Sequence, residues 1–377
     1  MLGGPSIKRL ITIVVVFSLL TVIGGCGFTE SSGALRQAEA ITVGKLNTEL
    51  ADVFAYGLAY DGYPQNDSRL VGLKTDGRTV DILAIYPGSF NGIHLEYKYN
   101  RLFFADSEED CIGYVDLTKG NGVYEFCVLV SGVTFDRITG IAVAGGRLYY
   151  SYRDEIKGEN YIGAVNLLSG KEEKELLREK RMVAKEFDSP DNDLVIQSCD
   201  EENILLVRNN SGSLYELSSG KEEVLFTGRV EPWFFGNGLL IGAEYTENVY
   251  GYPEISGLYE YRDKQLRKLE NVDVNYGRED ILMIPYGQGF IYSDGESVFC
   301  YEDGTVKKLL SLKGREFESV DYLVMGSEKT VCVVAFDYDD SVEFLVFAIE
   351  LSSGKIKELN ELPVLLQAIY PQRGEGN

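Results

Sequence analysis

Leu168-Ser169-Gly170-Lys171-Glu172 is one of three nearly identical passages in this chain. The other two are Ser218-Ser219-Gly220-Lys221-Glu222 and Ser352-Ser353-Gly354-Lys355-Ile356, and each of the three separates two largely apolar runs. Glycine adopts a positive φ without a Cβ clash, which is what a short loop between two antiparallel strands requires. Each passage therefore predicts a β-hairpin, and the three together predict a repeated one.

Weaker copies of this turn recur along the chain. One residue per turn gives seven markers, spaced 41 to 50 residues apart: Gly77, Gly120, Gly170, Gly220, Asp263, Gly304 and Gly354. A second turn, such as Asn100 or Gly145-Gly146, precedes most markers, so each repeat holds two hairpins and four strands. This recurrence predicts an all-β fold, a β-propeller of four-stranded antiparallel blades. Seven markers predict seven blades, with six and eight as alternatives.

Other all-β folds fit the pattern less well. A β-sandwich explains the strands but not their regular recurrence, and a parallel β-helix has far shorter repeats. The phrases LYY … IGAVNLLSG (148–170) and LYELSSG (214–220) resemble the bacterial propeller lipoproteins and periplasmic propellers related to the TolB-like and YWTD-like superfamilies. The resemblance extends from Asp52 to about Tyr370 and concerns the fold, and YWTD motifs themselves are absent.

The amino terminus reads as an export signal. Met1–Arg9 carries two basic residues, and Leu10–Ile23 is an apolar stretch shorter than the ~20 residues of a membrane-spanning helix. Ile23-Gly24-Gly25-Cys26 then resembles a bacterial lipobox, which predicts cleavage before Cys26 and a lipid on its thiol. An ordinary signal peptide and an uncleaved anchor are the alternatives. All three place the rest of the chain outside the cytoplasm, at a cell surface or in a periplasm.

The domain division follows from these signals. We predict a lipoprotein signal peptide over 1–25, a flexible tether over 26–40 and a single β-propeller domain over 41–377. The first repeat shows only three strands, so a four-stranded blade needs one more. The apolar run Val364–Ile369 is predicted to supply it and close the ring, with Ala40–Leu46 as the alternative.

Charge and composition limit the partners. The chain has 36 basic and 59 acidic residues, a net charge of −23, which opposes contact with nucleic-acid phosphates. Such a charge is compatible with cations, basic proteins and neutral glycans. We therefore expect no nucleic-acid partner, attachment to the membrane through the lipid, and an unidentified protein or glycan ligand.

Few residues carry a chemical signature. His94 is the only histidine, and its place in an apparent strand favours a packed or axis-lining side chain over a catalyst, so no residue is assigned a catalytic role. Acidic groups at Asp106–Asp110, Asp188–Asp193 and Asp337–Asp340 offer oxygen ligands for calcium, but none has the spacing of a calcium loop. Solvated turns are the favoured interpretation, no metal site is assigned, and calcium is the alternative cofactor.

Aromatic and cysteine residues give two further predictions. Most aromatic side chains are expected between blades, whereas Tyr250 and Tyr252, in a longer loop with glycine and proline, are the predicted exposed contact pair. Cys111 and Cys127 flank the turn at Thr118-Lys119-Gly120, and counting outward places them opposite each other as a candidate disulfide.

The leading functional interpretation is a membrane-anchored propeller that binds a ligand or protein at the cell envelope. An extracytoplasmic carbohydrate-active enzyme with carboxylates in the central funnel, and an envelope assembly scaffold, are the alternatives.

Overall fold

Twenty-eight strands in seven four-stranded antiparallel sheets make up nearly all of the described part of the computed structural model. The structure describes residues 47–50, 52–61, 67–74, 78–85, 95–106, 111–119, 124, 126–132, 138–154, 156–180, 193–208, 211–227, 230–236, 239–247, 253–262, 265–272, 282–313, 319–327, 330–337, 343–359 and 365–371. A single 3-10 turn, Thr48–Leu50, precedes the first strand within these residues. None of the described helices is long and apolar enough to cross a membrane.

In the first four sheets the strands are arranged in chain order, except that the first sheet also contains the last strand of the chain. The first sheet has the order β28 (Leu365–Pro371), β1 (Val53–Asp61), β2 (Asp67–Lys74), β3 (Thr79–Ile85). The second has β4 (Leu95–Lys98), β5 (Arg101–Asp106), β6 (Cys111–Asp116) and β7 (Phe126–Ser131). The third has β8 (Ile138–Ala144), β9 (Arg147–Asp154), β10 (Glu159–Asn166) and β11 (Glu172–Lys180). The fourth has β12 (Val195–Cys199), β13 (Asn203–Arg208), β14 (Ser211–Glu216) and β15 (Lys221–Thr227).

The remaining three sheets repeat this arrangement. The fifth has β16 (Val230–Gly236), β17 (Leu239–Glu247), β18 (Pro253–Arg262) and β19 (Gln265–Lys268). The sixth has β20 (Leu282–Tyr286), β21 (Gly289–Ser293), β22 (Ser297–Glu302) and β23 (Thr305–Ser311). The seventh has β24 (Ser319–Ser327), β25 (Thr330–Asp337), β26 (Glu343–Glu350) and β27 (Lys355–Leu359).

The sheets form a closed ring. The first strand of each sheet contacts the first strand of the next, and β24 of the seventh sheet contacts β28 of the first. Each sheet thus has an innermost strand toward the ring axis and an outermost strand at the circumference. A closed ring of four-stranded antiparallel sheets is a β-propeller, as the repeats predict.

The ring is closed by the two ends of the described chain. β28 pairs antiparallel with β1, with Tyr370 opposite Tyr56 and Ile369 opposite Gly57. This confirms that the C-terminal apolar run completes the first sheet. The alternative segment, Ala40–Leu46, lies outside the described residues.

The glycine turns lie where the repeats predict them. All seven markers fall between the third and fourth strands of a sheet. Gly170, Gly220, Gly304 and Gly354 have φ between 65° and 76°, in the left-handed region that a side chain disfavours. The hairpin signal in the sequence therefore marks one defined position in every sheet.

The predicted pairing of Cys111 with Cys127 is wrong. β6 ends at Asp116 and β7 begins only at Phe126, so the connection is far longer than the three-residue loop the sequence suggests. Asp116 also accepts hydrogen bonds from the backbone N–H and hydroxyl of Thr118, which starts a turn of its own. With a further register shift in β6, Cys111 lies opposite Ser131 and Cys127 opposite Tyr114. The two thiols form no disulfide in the structure.

Apolar side chains fill the space between neighbouring sheets. Between the third and fourth sheets the backbones approach closely near the axis: a Cβ on Gly140 would lie 2.4 Å from the carbonyl oxygen of Ile196. The fully buried Ser151 hydroxyl accepts a hydrogen bond from the backbone N–H of Ile196 at 3.1 Å. Packing and hydrogen bonding together therefore fix adjacent sheets to each other at their inner strands.

Candidate functional site

The two faces of the ring differ in the length of their connections. Because neighbouring strands are antiparallel, the first-to-second and third-to-fourth connections share one face, which we call the tight-turn face. The second-to-third and fourth-to-next-sheet connections share the opposite face, the long-connection face. On the tight-turn face the first strand of the second to the seventh sheet reaches its second strand through two or three residues, and the nine-residue β6–β7 connection is the longest on this face. On the long-connection face, 181–194 joins the third sheet to the fourth and 269–281 joins the fifth to the sixth.

Contacts on the tight-turn face tie several sheets together. Lys98, at the end of β4, is paired with the Glu201 carboxylate of the β12–β13 turn, and Glu201 also accepts the N–H of Gly145 at 3.2 Å. Burial lowers the pKa of Lys98, but Glu201 more than offsets it, so the pKa lies above its ordinary value. The same pair holds the pKa of Glu201 below its ordinary value against the opposing effect of burial. This contact spans the second, third and fourth sheets and leaves its charges paired.

Most residues that the sequence singles out fall in segments between the described strands. Cys26, His94, Tyr250 and Tyr252 lie outside the described residues. The segment with Tyr250 and Tyr252 connects β17 to β18, and His94 immediately precedes β4. Both segments therefore join strands at their long-connection ends.

The acidic groups are also attached to that face. Asp106–Asp110 joins β5 to β6, Asp188–Asp193 leads into β12, and Asp337–Asp340 follows β25. Most of these residues are outside the described part, but Asp193 is paired with Arg153 at 3.0 Å. Among the described residues no group of three His, Cys, Asp or Glu side chains is placed to hold a metal ion.

A polar cleft of about 340 Å³ lies between the third and fourth sheets, toward their outer strands. It is lined by Glu179, Arg208, Ser211, Ser213, Glu222 and Val224. Ile204 and Leu206 of β13 are buried between these sheets, and alternation along the strand puts Arg208 on the same side, just beyond the apolar core. The alternation of side chains along β13 therefore places the Arg208 guanidinium at the edge of the interface between the third and fourth sheets.

Arg208 occupies this cleft and donates four hydrogen bonds there. Its Nε donates to Glu179 at 2.7 Å, and its two terminal nitrogens donate to the Glu222 carboxylate at 2.5 and 3.2 Å. Ser213 accepts from Arg208 at 3.0 Å and itself donates to Glu222. Both carboxylates are thus engaged by one cation, an arrangement suited to joining two sheets rather than to transferring protons.

Sequence reasoning missed Arg208. In the sequence, Arg208 is only the last residue of the largely apolar strand NILLVR. Its partner Glu179 belongs to another sheet, so no local pattern connects the two residues. Glu222 follows one of the three repeated turns, but nothing in that motif indicates what faces it.

The described tyrosines of the third sheet lie between sheets, as expected for most aromatic residues. Tyr152 stacks on Tyr161 with centroids 5.0 Å apart and on Tyr150 at 5.8 Å. Tyr150 donates to Glu172 at 2.7 Å, and its burial, followed by that carboxylate, raises the pKa of Tyr150. Arg178 and Lys157 lie over the Tyr161 ring at 5.8 and 5.4 Å. Tyr150 and the partly buried Tyr152 pack against the core shared with the second sheet, and Tyr161 is fully buried.

Comparisons with known proteins show the fold and no family. No protein-family model and no curated protein matches the sequence. A protein from Lactobacillus plantarum superposes with a TM-score of 0.54 at 14% identity, over 84% of this chain and 98% of that one. Dihydro-heme d1 dehydrogenase NirN gives 0.51 at 10%, over 85% and 75% of the two chains. TolB from Acinetobacter baumannii gives 0.42 at 13%, over 86% and 67%.

The class of this protein is therefore a β-propeller. The resemblance to propellers predicted from the sequence is confirmed at the level of the fold by the ring of four-stranded sheets. Only one of these names states an activity, and at identities of 10 to 14% the similarity shows the fold and not a ligand or a reaction of this chain.

Proposed function

We propose that this protein is a non-enzymatic binding module of the bacterial cell envelope. A lipid on Cys26 holds the ring at the membrane outside the cytoplasm. A protein or glycan ligand binds at the long-connection face, where Tyr250 and Tyr252 offer aromatic contacts.

The difference between the two faces is the observation that carries this proposal. Rings of sheets present binding residues on loops held by a rigid scaffold, and the two longest connections, 181–194 and 269–281, both belong to the long-connection face. The connections of that face contain twenty acidic and eight basic residues, against eight and five on the tight-turn face. This excess of acidic residues favours a ligand whose contact surface is neutral or positively charged.

The start of the ring supports an anchor on the opposite face. Asn47 donates its backbone N–H to the carbonyl of Leu117 at 3.1 Å and its amide to the Tyr124 hydroxyl at 3.1 Å. Both partners belong to the β6–β7 connection, on the tight-turn face. A chain anchored at Cys26 would enter the ring there and leave the long-connection face accessible.

Site-specific photo-crosslinking in cells tests this function. A photoreactive amino acid at position 250 should give covalent adducts with other envelope components, detected as shifted bands and identified by mass spectrometry. The matched control is position 219, an exposed residue of a tight turn. Adducts from 219 but not from 250 would contradict the proposal.

Mass spectrometry of the mature protein should find lipid on Cys26 with no residue before it, and an unmodified Cys26 would contradict the anchor.

A further inference from the structure

The polar cleft between the third and fourth sheets lies toward the long-connection face. β11 and β13 both run toward that face, and the cleft residues Glu179 and Arg208 are at or next to their ends. Ser211, another lining residue, begins β14, which starts at the same face. The connection 181–194, one of the two longest, begins directly after β11. A cavity of about 340 Å³ is within the range of sites that hold a small ligand.

The hydrogen-bond donors of this cleft are almost all in use. Four of the five N–H groups of the Arg208 guanidinium already donate to a carboxylate or hydroxyl oxygen of the cleft. The Ser213 hydroxyl donates to Glu222. The Ser211 hydroxyl donates to the backbone carbonyl of Arg208 at 3.1 Å. Among the side chains of these described lining residues, a single N–H of Arg208 is left to serve a ligand.

Acceptors are in excess in the same cleft. A carboxylate offers about four lone-pair sites. Glu222 uses three of them for Arg208 and Ser213. Glu179 uses two, one for Arg208 and one for the Asn160 amide at 3.5 Å. Roughly three sites remain, and two carboxylates against one guanidinium leave one net negative charge. A sugar hydroxyl both donates and accepts, whereas a cation that only donates matches what the cleft has to spare.

We propose that this cleft binds a primary alkylammonium group, such as the end of a lysine side chain or of a diamine. An ammonium group has three N–H donors, no acceptor and one positive charge. A guanidinium fits less well, because Arg208 already contacts both oxygens of Glu222. The side chain of Val224, which is 61% exposed, offers an apolar wall to the methylene stem. The inference rests on the proposed function for the binding role of this face, and it adds the chemical class of the ligand.

The positive charge of Arg208 prepares the site for a second cation. Arg208 holds Glu179 and Glu222 in place before a ligand arrives, which reduces the entropy lost on binding. Both carboxylate side chains are 24% exposed, so water screens an ion pair there less than one on the open surface. The net charge of −23 adds a general attraction for cations.

Ligand-observed saturation-transfer NMR on residues 26–377 with Cys26→Ser tests the proposal. This chain keeps every described strand. Binding to it requires neither the lipid nor Tyr250, so the proposed function and this inference fail separately. The probes are N-acetyl-lysine amide and the same compound acetylated on its ε nitrogen, which is uncharged. We expect the first to bind with a dissociation constant in the millimolar range, and the second to bind at least about tenfold more weakly.

A third probe, cadaverine, separates the two sources of an ammonium group. Tighter binding of N-acetyl-lysine amide than of cadaverine indicates a lysine side chain of a protein as the natural ligand. The reverse order indicates a free diamine. Either order supports an ammonium site in the cleft.

Two pairs of variants locate the binding. Val224→Lys places an ammonium group of the protein itself in the cleft and should raise the dissociation constant of N-acetyl-lysine amide at least about tenfold. Val128→Lys makes the same change of charge at an exposed valine of β7 and should leave it within about twofold. Glu179→Gln removes the net negative charge of the cleft and should raise the constant at least about fivefold. Its control, Glu216→Gln, removes the same charge from an exposed residue at the tight-turn end of β14.

Three results would overturn the proposal. The first is the absence of binding by both amines. The second is equal affinity for the charged and the ε-acetylated lysine compound, which would show that the charge is not recognised. The third is binding that each cleft variant weakens no more than its control does, which would assign the effect to the net charge of the whole protein. Because Val224 is largely exposed, Val224→Lys keeps the comparison available even if Glu179→Gln fails to fold.

Discussion

At the scale of single residues, close backbone approach decides which side chains the ring accepts. Gly140 reads from sequence as an ordinary strand glycine, and such a glycine indicates either a bulge or a close neighbour. The structure has both: a register shift between Ile138 and Gly140, and the backbone of Ile196 against the glycine. The sequence marks the position but cannot say which strand of another sheet is the neighbour.

Gly140→Ala should therefore destabilise the protein strongly. The added Cβ would lie 2.4 and 2.9 Å from backbone atoms of Ile196, which cannot rotate away, and we expect a loss of about 3 kcal/mol in the free energy of unfolding. Gly304→Ala is the control, because nothing lies within 4 Å of its Cβ position and only its positive φ opposes the substitution, at about 1 kcal/mol. Urea denaturation measures both. Equal losses would show that the sheets are not in close contact at Gly140.

The cysteines provide a second prediction at this scale. Cys111, Cys300 and Cys332 are buried, and desolvation raises the pKa of Cys332 to about 12, which keeps its thiol protonated at neutral pH. Cys127 and Cys199 are partly exposed. Native protein treated with iodoacetamide should be modified first at Cys127 and Cys199, with the same pattern whether or not reductant was present beforehand. Modification of Cys127 only after reduction would show that Cys127 forms a disulfide in the native protein, which the strand register argues against.

At the scale of strands and sheets, local sequence predicts hairpins well and register poorly. The third sheet turns at Gly145-Gly146 and at Gly170, as the sequence predicts, because glycine turns, alternating apolar residues and repeat spacing agree. The β6–β7 hairpin fails because Thr118-Lys119-Gly120 has the composition of a tight turn, whereas the longer connection puts Tyr124 into the core beside the first sheet. Its register shift also depends on Gly113, whose missing side chain leaves room for the carbonyl of Cys127 and the Phe126 ring. The sequence of the turn does not predict such contacts between strands and sheets.

The ion network of Arg208 should contribute to the joint between the third and fourth sheets. Arg208→Ala leaves Glu179 and Glu222 facing each other in a partly buried cleft, and we expect a loss of about 2 kcal/mol, between the values for surface and buried ion pairs. Arg262→Ala, which removes a half-exposed arginine paired with Glu260, should cost less than about 0.5 kcal/mol. Urea denaturation of the two variants compares them directly. A loss no greater in Arg208→Ala than in Arg262→Ala would mean that the network adds nothing to the joint.

At the scale of the whole molecule, closure of the ring is the central claim. The repeat pattern predicts it because the first repeat lacks a strand and the C-terminal run remains unassigned after the last hairpin. The structure supplies the missing strand as β28, which pairs with β1 and contacts both β4 and β24. Without β28 the first sheet would lose its innermost strand, and the edge of β1 would be left open. The proposed ligand site is less predictable from the sequence, because the residues proposed for it fall on connections whose arrangement no repeat determines.

Thermal unfolding of a chain that ends at Leu362 tests this closure most directly. The truncation removes β28 and leaves every other strand in place, while a chain ending at Pro371 keeps β28 and serves as the control. If β28 closes the ring, truncation at Leu362 should lower the melting temperature of the whole domain by at least about 10 °C or abolish the cooperative transition. The control should melt as the full chain does. An unchanged melting temperature for the chain ending at Leu362 would contradict the account.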